Sequence, residues 1–295
     1  MLTVFAIPKP FEGHIGMIQR NAIASWRKLK PGCSMILFGD EEGTREAARE
    51  YDAMHYPEIP RNEYNTPMVN AVFEKAADLS DDRVLCYVNA DIILTSDFME
   101  AFNRVKNLTS FLMVGRRRDL DIEEPLHLGD TGWENEIRMR AMADGILRHA
   151  NYIDYFLFDR NLYGQALPPF AIGRTAWDNW LLYYARKTGV PVIDATGEVI
   201  AIHQNHRYNE RSVILREDGT WEGYEVRSNR ELAGKHAVNY NIEDATLVLS
   251  GGKLMKQRSK VRARRFLVTR FPGIARFVVS TARRAGFLAG EESRG

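Results

Sequence analysis

Two polar residues, Asn89 and Asp91, follow directly after the apolar run Val84–Val88. A short run rich in β-branched and aromatic residues, bounded by turn formers, predicts a strand buried on both faces of a parallel sheet. Ligands of open α/β sheets bind just beyond the carboxyl ends of the strands. Asp91 is therefore a candidate for binding a cation or a ligand hydroxyl. The alternative is a turn or helix-capping aspartate, because Thr95 and Ser96 begin the next predicted helix.

Polar side chains also stand at the ends of other predicted strands. His203 follows the predicted strand 199–202, and together with Asp91 it predicts a site for Mg²⁺ or Mn²⁺. The carboxylate suits either ion and the imidazole favours Mn²⁺. For His203 the alternative is a packed core histidine. The other strand ends with polar residues are at Pro8-Lys9, at Asp40, at Arg116, Arg117 and Asp119, and at Asp159.

Strands and helices alternate along the first two thirds of the chain, which predicts βαβ units with right-handed crossovers. The fold class is therefore α/β, with a mostly parallel, Rossmann-like sheet flanked by helices. We expect residues 116–121 to be irregular, because they are almost all charged. The predicted strands are 2–7, 34–38, 53–56, 84–88, 111–115, 155–158, 190–193 and 199–202, and the predicted helices are 13–29, 44–51, 66–79, 96–105, 134–147 and 175–188.

The formal net charge of +1 hides a strong asymmetry along the 295 residues. Eleven basic residues and no acidic residue lie between Lys253 and Arg284. The character of the sequence changes near Gly251, so we predict a domain over 1–250 and a basic amphipathic helical segment over 251–295. A basic segment rich in Phe is typical of a helix that lies on an anionic membrane surface. A solvated tail or a surface for a partner protein is the alternative.

Further features limit the class of protein. Cys33 and Cys86 both fall in or beside predicted strands and are interpreted as small buried hydrophobic residues. We see no secretory signal and no run of about 18 apolar residues. We therefore expect a cytoplasmic protein, with a peripheral location on the inner face of the membrane as the extension that the basic segment suggests. Nucleic-acid binding is not expected, because no recognised nucleic-acid module accompanies the basic segment.

The order of these elements and motifs resembles the GT-A glycosyltransferases, family 2-like, which take a sugar from a nucleotide-sugar donor. In that family an Asp-x-Asp motif after the central strand holds the metal and the diphosphate. Asn89-Ala90-Asp91 occupies that place here, with Asn in the first position. The resemblance covers roughly residues 1–208. It implies that Asp91 and His203 bind the metal, that Asp40 binds the nucleotide base, and that Asn89 binds a ribose or sugar hydroxyl.

The resemblance also implies a mechanism. Asp178, in Trp177-Asp178-Asn179-Trp180, matches the catalytic base of inverting members of the family. It would accept a proton from a hydroxyl of a glycan or lipid-linked acceptor while Mn²⁺ or Mg²⁺ carries the leaving-group charge. Arg116, Arg117 and Arg118 could clamp the pyrophosphate bidentately, and Asp119 and Asp121 could hold sugar hydroxyls. A helix-dipole carboxylate is the alternative for Asp178, and a solvated charge run is the alternative for the arginines.

Two other function classes compete with this one. A non-catalytic nucleotide-sugar-binding or membrane-docking module stays open, because the first Asp of the acidic motif is missing. A sugar-1-phosphate nucleotidyltransferase would need a Gly-rich phosphate loop after the first strand, and residues 6–13 do not supply one. A dinucleotide dehydrogenase is excluded, because no Gly-x-Gly-x-x-Gly follows a strand.

Overall fold

The computed structural model describes residues 1–206, 214–215, 221–257, 259 and 265. Its strands form a twelve-stranded mixed sheet and a separate two-stranded ribbon. The strands are β1 Leu2–Ala6, β2 Ser34–Phe38, β3 Met54–Tyr56, β4 Val84–Val88, β5 Ile92–Ile93, β6 Leu112–Leu120, β7 Ile146–Leu147, β8 Ile153–Asp159, β9 Val192–Asp194, β10 Ala201–Gln204, β11 Ile214–Leu215, β12 Trp221–Glu222, β13 Leu247–Ser250 and β14 Lys253–Lys256.

Helices cover both faces of the large sheet. One face packs against α1, α2 and α4, and the other packs against α3, α6 and α7. The structure therefore confirms the α/β class predicted from the sequence and from the GT-A resemblance. The helices are α1 Gly13–Lys28, α2 Thr44–Glu50, α3 Val69–Leu79, α4 Ser96–Val105, α5 Trp133–Ala143, α6 Trp177–Thr188 and α7 Tyr224–Ala237.

The order of the main sheet is β14-β13-β9-β6-β8-β4-β1-β2-β3. The chain runs from β1 to β2 and β3 on one side and returns to β4 on the other side, and β1 is parallel to both β2 and β4. The strand order therefore reverses between β1 and β4. In open α/β sheets the crevice at such a reversal is the usual ligand site.

The surroundings of β4 differ from the prediction. This strand is fully buried, but it is parallel only to β1 and pairs antiparallel with β8. The sequence could not reveal this, because burial on both faces gives the same apolar run whatever the direction of the neighbouring strand. The antiparallel pairing brings the start of β8, at Asp154, beside the end of β4, at Asn89.

A second difference concerns residues 116–120, which were predicted to be irregular. They continue β6 as far as Leu120, where they pair with β7 and β10. Alternate side chains of this half of β6 face a polar cavity, so its charges are compatible with a strand. From the sequence alone the cavity is not visible, so this run of charged residues was predicted to be a loop.

The domain boundary predicted at 250/251 falls in the turn between β13 and β14. Strand β14 pairs antiparallel with β13, so residues up to Lys256 belong to the sheet. Arg265 also forms an ion pair with the buried carboxylate of Asp244. Most of the predicted membrane-binding segment lies outside the described residues, and that prediction stays untested. Among the residues described, no helix combines the length and apolar character needed to cross a bilayer.

Candidate functional site

A cavity of about 970 Å³ opens at the edge of the sheet where β1, β4 and β6 end and β8 begins. Its position beside the reversal of strand order is the one expected for a ligand site. The structure brings seven of the predicted site residues to its wall. They are Pro8, Asn89, Asp91, Arg117, Asp119, Asp178 and His203.

Strand pairing positions the central cluster of this cavity. β10 lies between β5 and β6, with His203 opposite Ile92 on one side and Asp119 on the other. His203 Nε2 is 3.6 Å from Asp91 Oδ2, and His203 Nδ1 is 3.2 Å from Asp119 Oδ1. Gln204, fully buried, donates to the backbone oxygen of Asp91 at 3.1 Å and so holds the turn that carries this carboxylate.

His206 completes the cluster, and the sequence analysis did not assign it a role. Its Nε2 lies 3.1 Å from Asp91 Oδ2. One ligand atom from each of Asp91, His203 and His206 lies within 4.8 Å of the others. The sequence offered one signal for His206, its position three residues after His203. Because His206 follows the end of β10, this spacing alone does not determine where its side chain points.

These three residues fit a divalent cation. Asp91 Oδ1 is buried and has no hydrogen-bond partner in the part of the chain that is described. A buried carboxylate oxygen without a partner is costly and is explained by a ligand. One carboxylate with two imidazoles suits Mn²⁺ better than Mg²⁺, which prefers oxygen ligands. Asp119 contacts the second ring nitrogen of His203, as the outer partners of metal-binding histidines do.

The charges of the cluster stabilise one another. Burial alone would raise the pKa of Asp91, but the charges and hydrogen bonds of His203 and His206 hold it well below its usual range. Burial alone would lower the pKa of His203, yet the Asp91 charge and the bonds to Asp119 and Asp91 raise it to about 9. The same protein groups that stabilise a proton on His203 would also stabilise a cation.

Two predicted donor-binding residues have protein partners. Arg117 is buried and contacts Asp119 at 2.8 Å and Asp154 at 2.9 Å. The Asn89 side chain donates to Asp154 Oδ1 at 2.6 Å. Both residues line the cavity, and their network connects β4, β6 and β8. Whether they also contact a donor remains a prediction.

Asp178 lies in the first turn of α6 and faces the same cavity. Its Oδ1 is buried and has no hydrogen-bond partner among the described residues. Burial and the charge of Asp154 raise the pKa of Asp178 to about 6, although backbone hydrogen bonds oppose this. Ala176, the residue that precedes α6, adopts a left-handed φ of 85°, which is strained for a residue with a side chain. The carboxylate is thus held in a poorly solvated position from which it can accept a proton near neutral pH.

Arg116 and Asp40 do not reach the cavity wall. The half-buried Arg116 is adjacent to Arg117 on a strand, so the two side chains point to opposite faces. Its guanidinium donates to the backbone oxygen of Arg148 at 3.4 Å. The Asp40 side chain is 69% exposed and pairs with Arg61 at 2.6 Å, outside the lining. The donor-binding roles of Arg116 and Asp40 stay predictions, and Glu41 and Arg61 line the wall near Asp40.

A buried ion pair that the sequence did not reveal holds the part of the cavity wall that includes Arg174. Arg174 contacts Glu225 through two nitrogens at 2.8 and 2.9 Å, and Asn62 donates to the other oxygen of Glu225 at 2.7 Å. Glu225 is 2% exposed. The contacts join α7 to two loops of the cavity, and their partners lie far apart in sequence, so no local pattern marks them.

No protein-family model and no curated protein matches the sequence. Solved structures give distant similarities. One is S. aureus TarS 1-349 in complex with UDP-GlcNAc, with 11% identity and a TM-score of 0.41 over 71% of this chain and 59% of that one. A second is the mannosyltransferase PcManGT from Pyrobaculum calidifontis in complex with GDP-Man and Mn²⁺, with 12% identity and a TM-score of 0.43 over 70% of this chain and 58% of that one. A third is glucosyl-3-phosphoglycerate synthase from Mycobacterium tuberculosis in complex with Mg²⁺ and UDP, with 12% identity and a TM-score of 0.42 over 76% of this chain and 87% of that one. The chain matches about three fifths of the length of the first two.

Proposed function

We propose that this chain is a GT-A-type glycosyltransferase that moves a sugar from a nucleotide-diphosphate donor to an acceptor hydroxyl. One observation carries the proposal: the Asp91–His203–His206 cluster and the buried carboxylate of Asp178 line one cavity at the reversal of strand order. A cation site beside a proton acceptor supplies the two functions of inverting glycosyl transfer from a diphosphate donor: neutralising the leaving group and activating the acceptor hydroxyl.

Asp91, His203 and His206 would hold Mn²⁺ or Mg²⁺. When bound, such an ion neutralises the charge of a departing diphosphate. Asp119 keeps the His203 ring in place through Nδ1. This outer contact leaves Nε2 directed towards Asp91, where the ligand atoms converge.

Asp178 is assigned the role of general base. It would remove the proton of the acceptor hydroxyl as that oxygen forms a bond to the anomeric carbon and the bond to the diphosphate breaks. A displacement of this kind inverts the anomeric carbon. A carboxylate with a pKa of about 6 is ionised at neutral pH and is a stronger base than a solvated aspartate.

The nucleotide would occupy the wall formed by β1 and the loop after β2. Pro8 lies at the end of β1, and Gln19 fixes the following residue by two hydrogen bonds to the Lys9 backbone, at 2.7 and 2.8 Å. This rigid loop suits a planar base or ribose. Asn89, Arg117 and Asp119 are the proposed donor contacts nearest the cation site. The acceptor is proposed to be a glycan or lipid-linked hydroxyl at an anionic membrane surface.

Turnover of labelled donors tests the proposal. Sugars linked to UDP, GDP, CDP or ADP would be incubated with Mn²⁺, and release of the nucleoside diphosphate would be measured with and without acceptor extracts. We expect release from one donor class by wild type, and a loss of about a hundredfold or more in Asp178→Asn. Asp144→Asn, an exposed carboxylate outside the cavity, is the matched control. Nucleotide binding without turnover of any donor would instead support the non-catalytic module.

A further inference from the structure

Arg148 lies in the wall of the cavity, and its side chain forms no hydrogen bond with the residues that the structure describes. The side chain is 33% exposed, and among those residues its close anion is Asp119, whose Oδ2 is 3.4 Å from Arg148 Nε. Nε is buried and donates no hydrogen bond to any described residue. Leaving the buried N–H of a guanidinium without an acceptor is unfavourable. The arrangement therefore points to a ligand with acceptor oxygens.

The other arginines of the cavity wall are already paired. Arg61 contacts Asp40 and Glu41, Arg117 contacts Asp119 and Asp154, and Arg174 contacts Glu225. Asp119 Oδ2 lies 3.4 Å from Arg148 Nε and forms an ion pair with it, but the contact does not reach hydrogen-bond geometry. Within the described part of the wall, Arg148 is the arginine that lacks a hydrogen-bonded anion.

The position of Arg148 is nevertheless fixed. Its carbon Cζ lies 4.3 Å from the centre of the Tyr152 ring, and its backbone N–H donates to the Arg117 oxygen at 3.0 Å. The stacking contact holds the guanidinium without using its N–H donors. Tyr152 also lines the cavity. A guanidinium held in this way is ready to bind a phosphate or carboxylate through two parallel hydrogen bonds.

The position of Arg148 in the cavity indicates which substrate it would contact. The crevice between β1 and β4 is the expected nucleotide site. Arg148 lies in the segment that connects β7 to β8, on the side of β4 that faces away from β1. Arg148 stacks on Tyr152, Tyr152 also contacts Arg117, and Arg117 pairs with Asp154. Asp154 is close enough for its charge to affect Asp178. We therefore place Arg148 on the side of the proposed base, where the acceptor would enter.

We propose that Arg148, supported by Tyr152, forms a subsite for an anionic group, phosphate or carboxylate, of the acceptor. This inference rests on the proposed function for the identity of the acceptor side, but the subsite itself does not. The acceptor class is then an anionic glycan or a phosphate-linked lipid carrier. A neutral oligosaccharide would give the guanidinium no charged partner besides Asp119.

Calorimetric titration of inorganic phosphate into the full chain tests the subsite. The titration is done with Mg²⁺ and a saturating nucleoside diphosphate, which occupies the donor site, and again without nucleotide. We expect the phosphate affinity to fall about tenfold or more in Arg148→Met, and less in Arg148→Lys, which keeps the charge but loses the two-pronged geometry. Tyr152→Leu should also weaken binding. Arg138→Met is the control, because Arg138 is 34% exposed and lies outside the cavity.

Three results would overturn the proposal. They are absence of phosphate binding by wild type, equal binding by folded Arg148→Met, and a tenfold loss of nucleoside diphosphate affinity in Arg148→Met. The last would assign Arg148 to the donor. Nucleotide affinity within about twofold of wild type supports the acceptor assignment. If no nucleoside diphosphate binds wild type, the proposed function fails, while the titration without nucleotide still tests Arg148.

Discussion

At the scale of single residues, Asp178 differs from the other carboxylates of the cavity. Asp91 contacts two histidines, and Asp119 contacts Arg117 and His203. Among the described residues, Asp178 has no ion-pair partner, and burial raises its pKa to about 6. Keeping an unpaired carboxylate buried lowers stability when it is ionised, which is the usual cost of a poised base.

The pH dependence of turnover follows from this pKa. Below about pH 6 Asp178 is protonated and cannot accept a proton, so kcat/KM should rise with pH through 6 and level off above 7. Initial rates between pH 4.5 and 8.5 measure this. Residual activity of Asp178→Asn should lack the limb near pH 6. An unchanged limb in the variant would remove Asp178 from the base role.

The same residue gives a stability test. A raised carboxyl pKa favours the folded state at low pH, and this contribution is lost as pH rises from 3.8 through about 6. Asp178→Asn should therefore be more stable than wild type at pH 7.5, with the difference shrinking towards pH 4. Thermal unfolding at the two pH values measures it. A variant less stable at pH 7.5 would contradict the buried, unpaired state of Asp178.

His206 provides a test of the cation site that does not depend on turnover. Removing one of three ligands should weaken Mn²⁺ binding strongly, so we expect His206→Ala to bind at least about tenfold more weakly than wild type. Titration followed by electron paramagnetic resonance of free Mn²⁺ measures the affinity. His236→Ala, an exposed histidine of α7, is the control. Equal affinity in His206→Ala would exclude His206 from the site.

At the scale of elements, apolar runs made β1, β2 and β4 predictable, and apolar spacing did the same for α1, α3 and α4. The charged half of β6 was not predictable, because Arg117 and Asp119 face a polar cavity that only the assembled sheet creates. The position of His203 was anticipated, but its partner Asp119 depends on the pairing of β10 with β6. Pairing between distant strands is not encoded in any local pattern.

The buried Glu225–Arg174 pair joins α7 to the segment before α6, and its loss should lower stability. Both side chains are more than nine-tenths buried, and removing one charge leaves the other without a partner. We expect Glu225→Gln to lower the free energy of unfolding by about 3–5 kcal/mol, because this is typical of broken buried ion pairs. Chemical denaturation measures it, with the exposed Glu231→Gln of α7 as the control.

The pH profile of that variant checks the cause. Burial alone would raise the pKa of Glu225, but hydrogen bonds from Asn62, Thr66 and Arg174 and the Arg174 charge lower it. Its stabilisation is therefore present above pH 4.5 and is lost as pH falls through the lowered pKa. The difference between wild type and Glu225→Gln should shrink in that acid range. A difference independent of pH would mean that lost packing, not the ion pair, causes it.

At the scale of the whole molecule, the mixed sheet places the predicted chemistry at one edge, as parallel strands alone would also have done. The antiparallel β8 adds what the sequence could not supply, because its first residues bring Asp154, Tyr152 and the neighbouring Arg148 to the cavity. Asp91, Asp178 and His203 were predictable as strand-end and helix-start residues. His206 and Arg148 required the structure.

We propose that a divalent cation at Asp91, His203 and His206 binds the diphosphate of the donor nucleotide. Calorimetric titration of UDP, GDP, CDP and ADP, each with and without Mn²⁺, tests it on wild type and Asp91→Ala. Binding of one nucleotide that requires Mn²⁺ and is lost in Asp91→Ala, but kept in the exposed control Asp144→Ala, is the predicted result. Nucleotide affinity that is the same with and without Mn²⁺ and in Asp91→Ala would contradict the proposed cation site. Absence of binding by every nucleotide would contradict it as well.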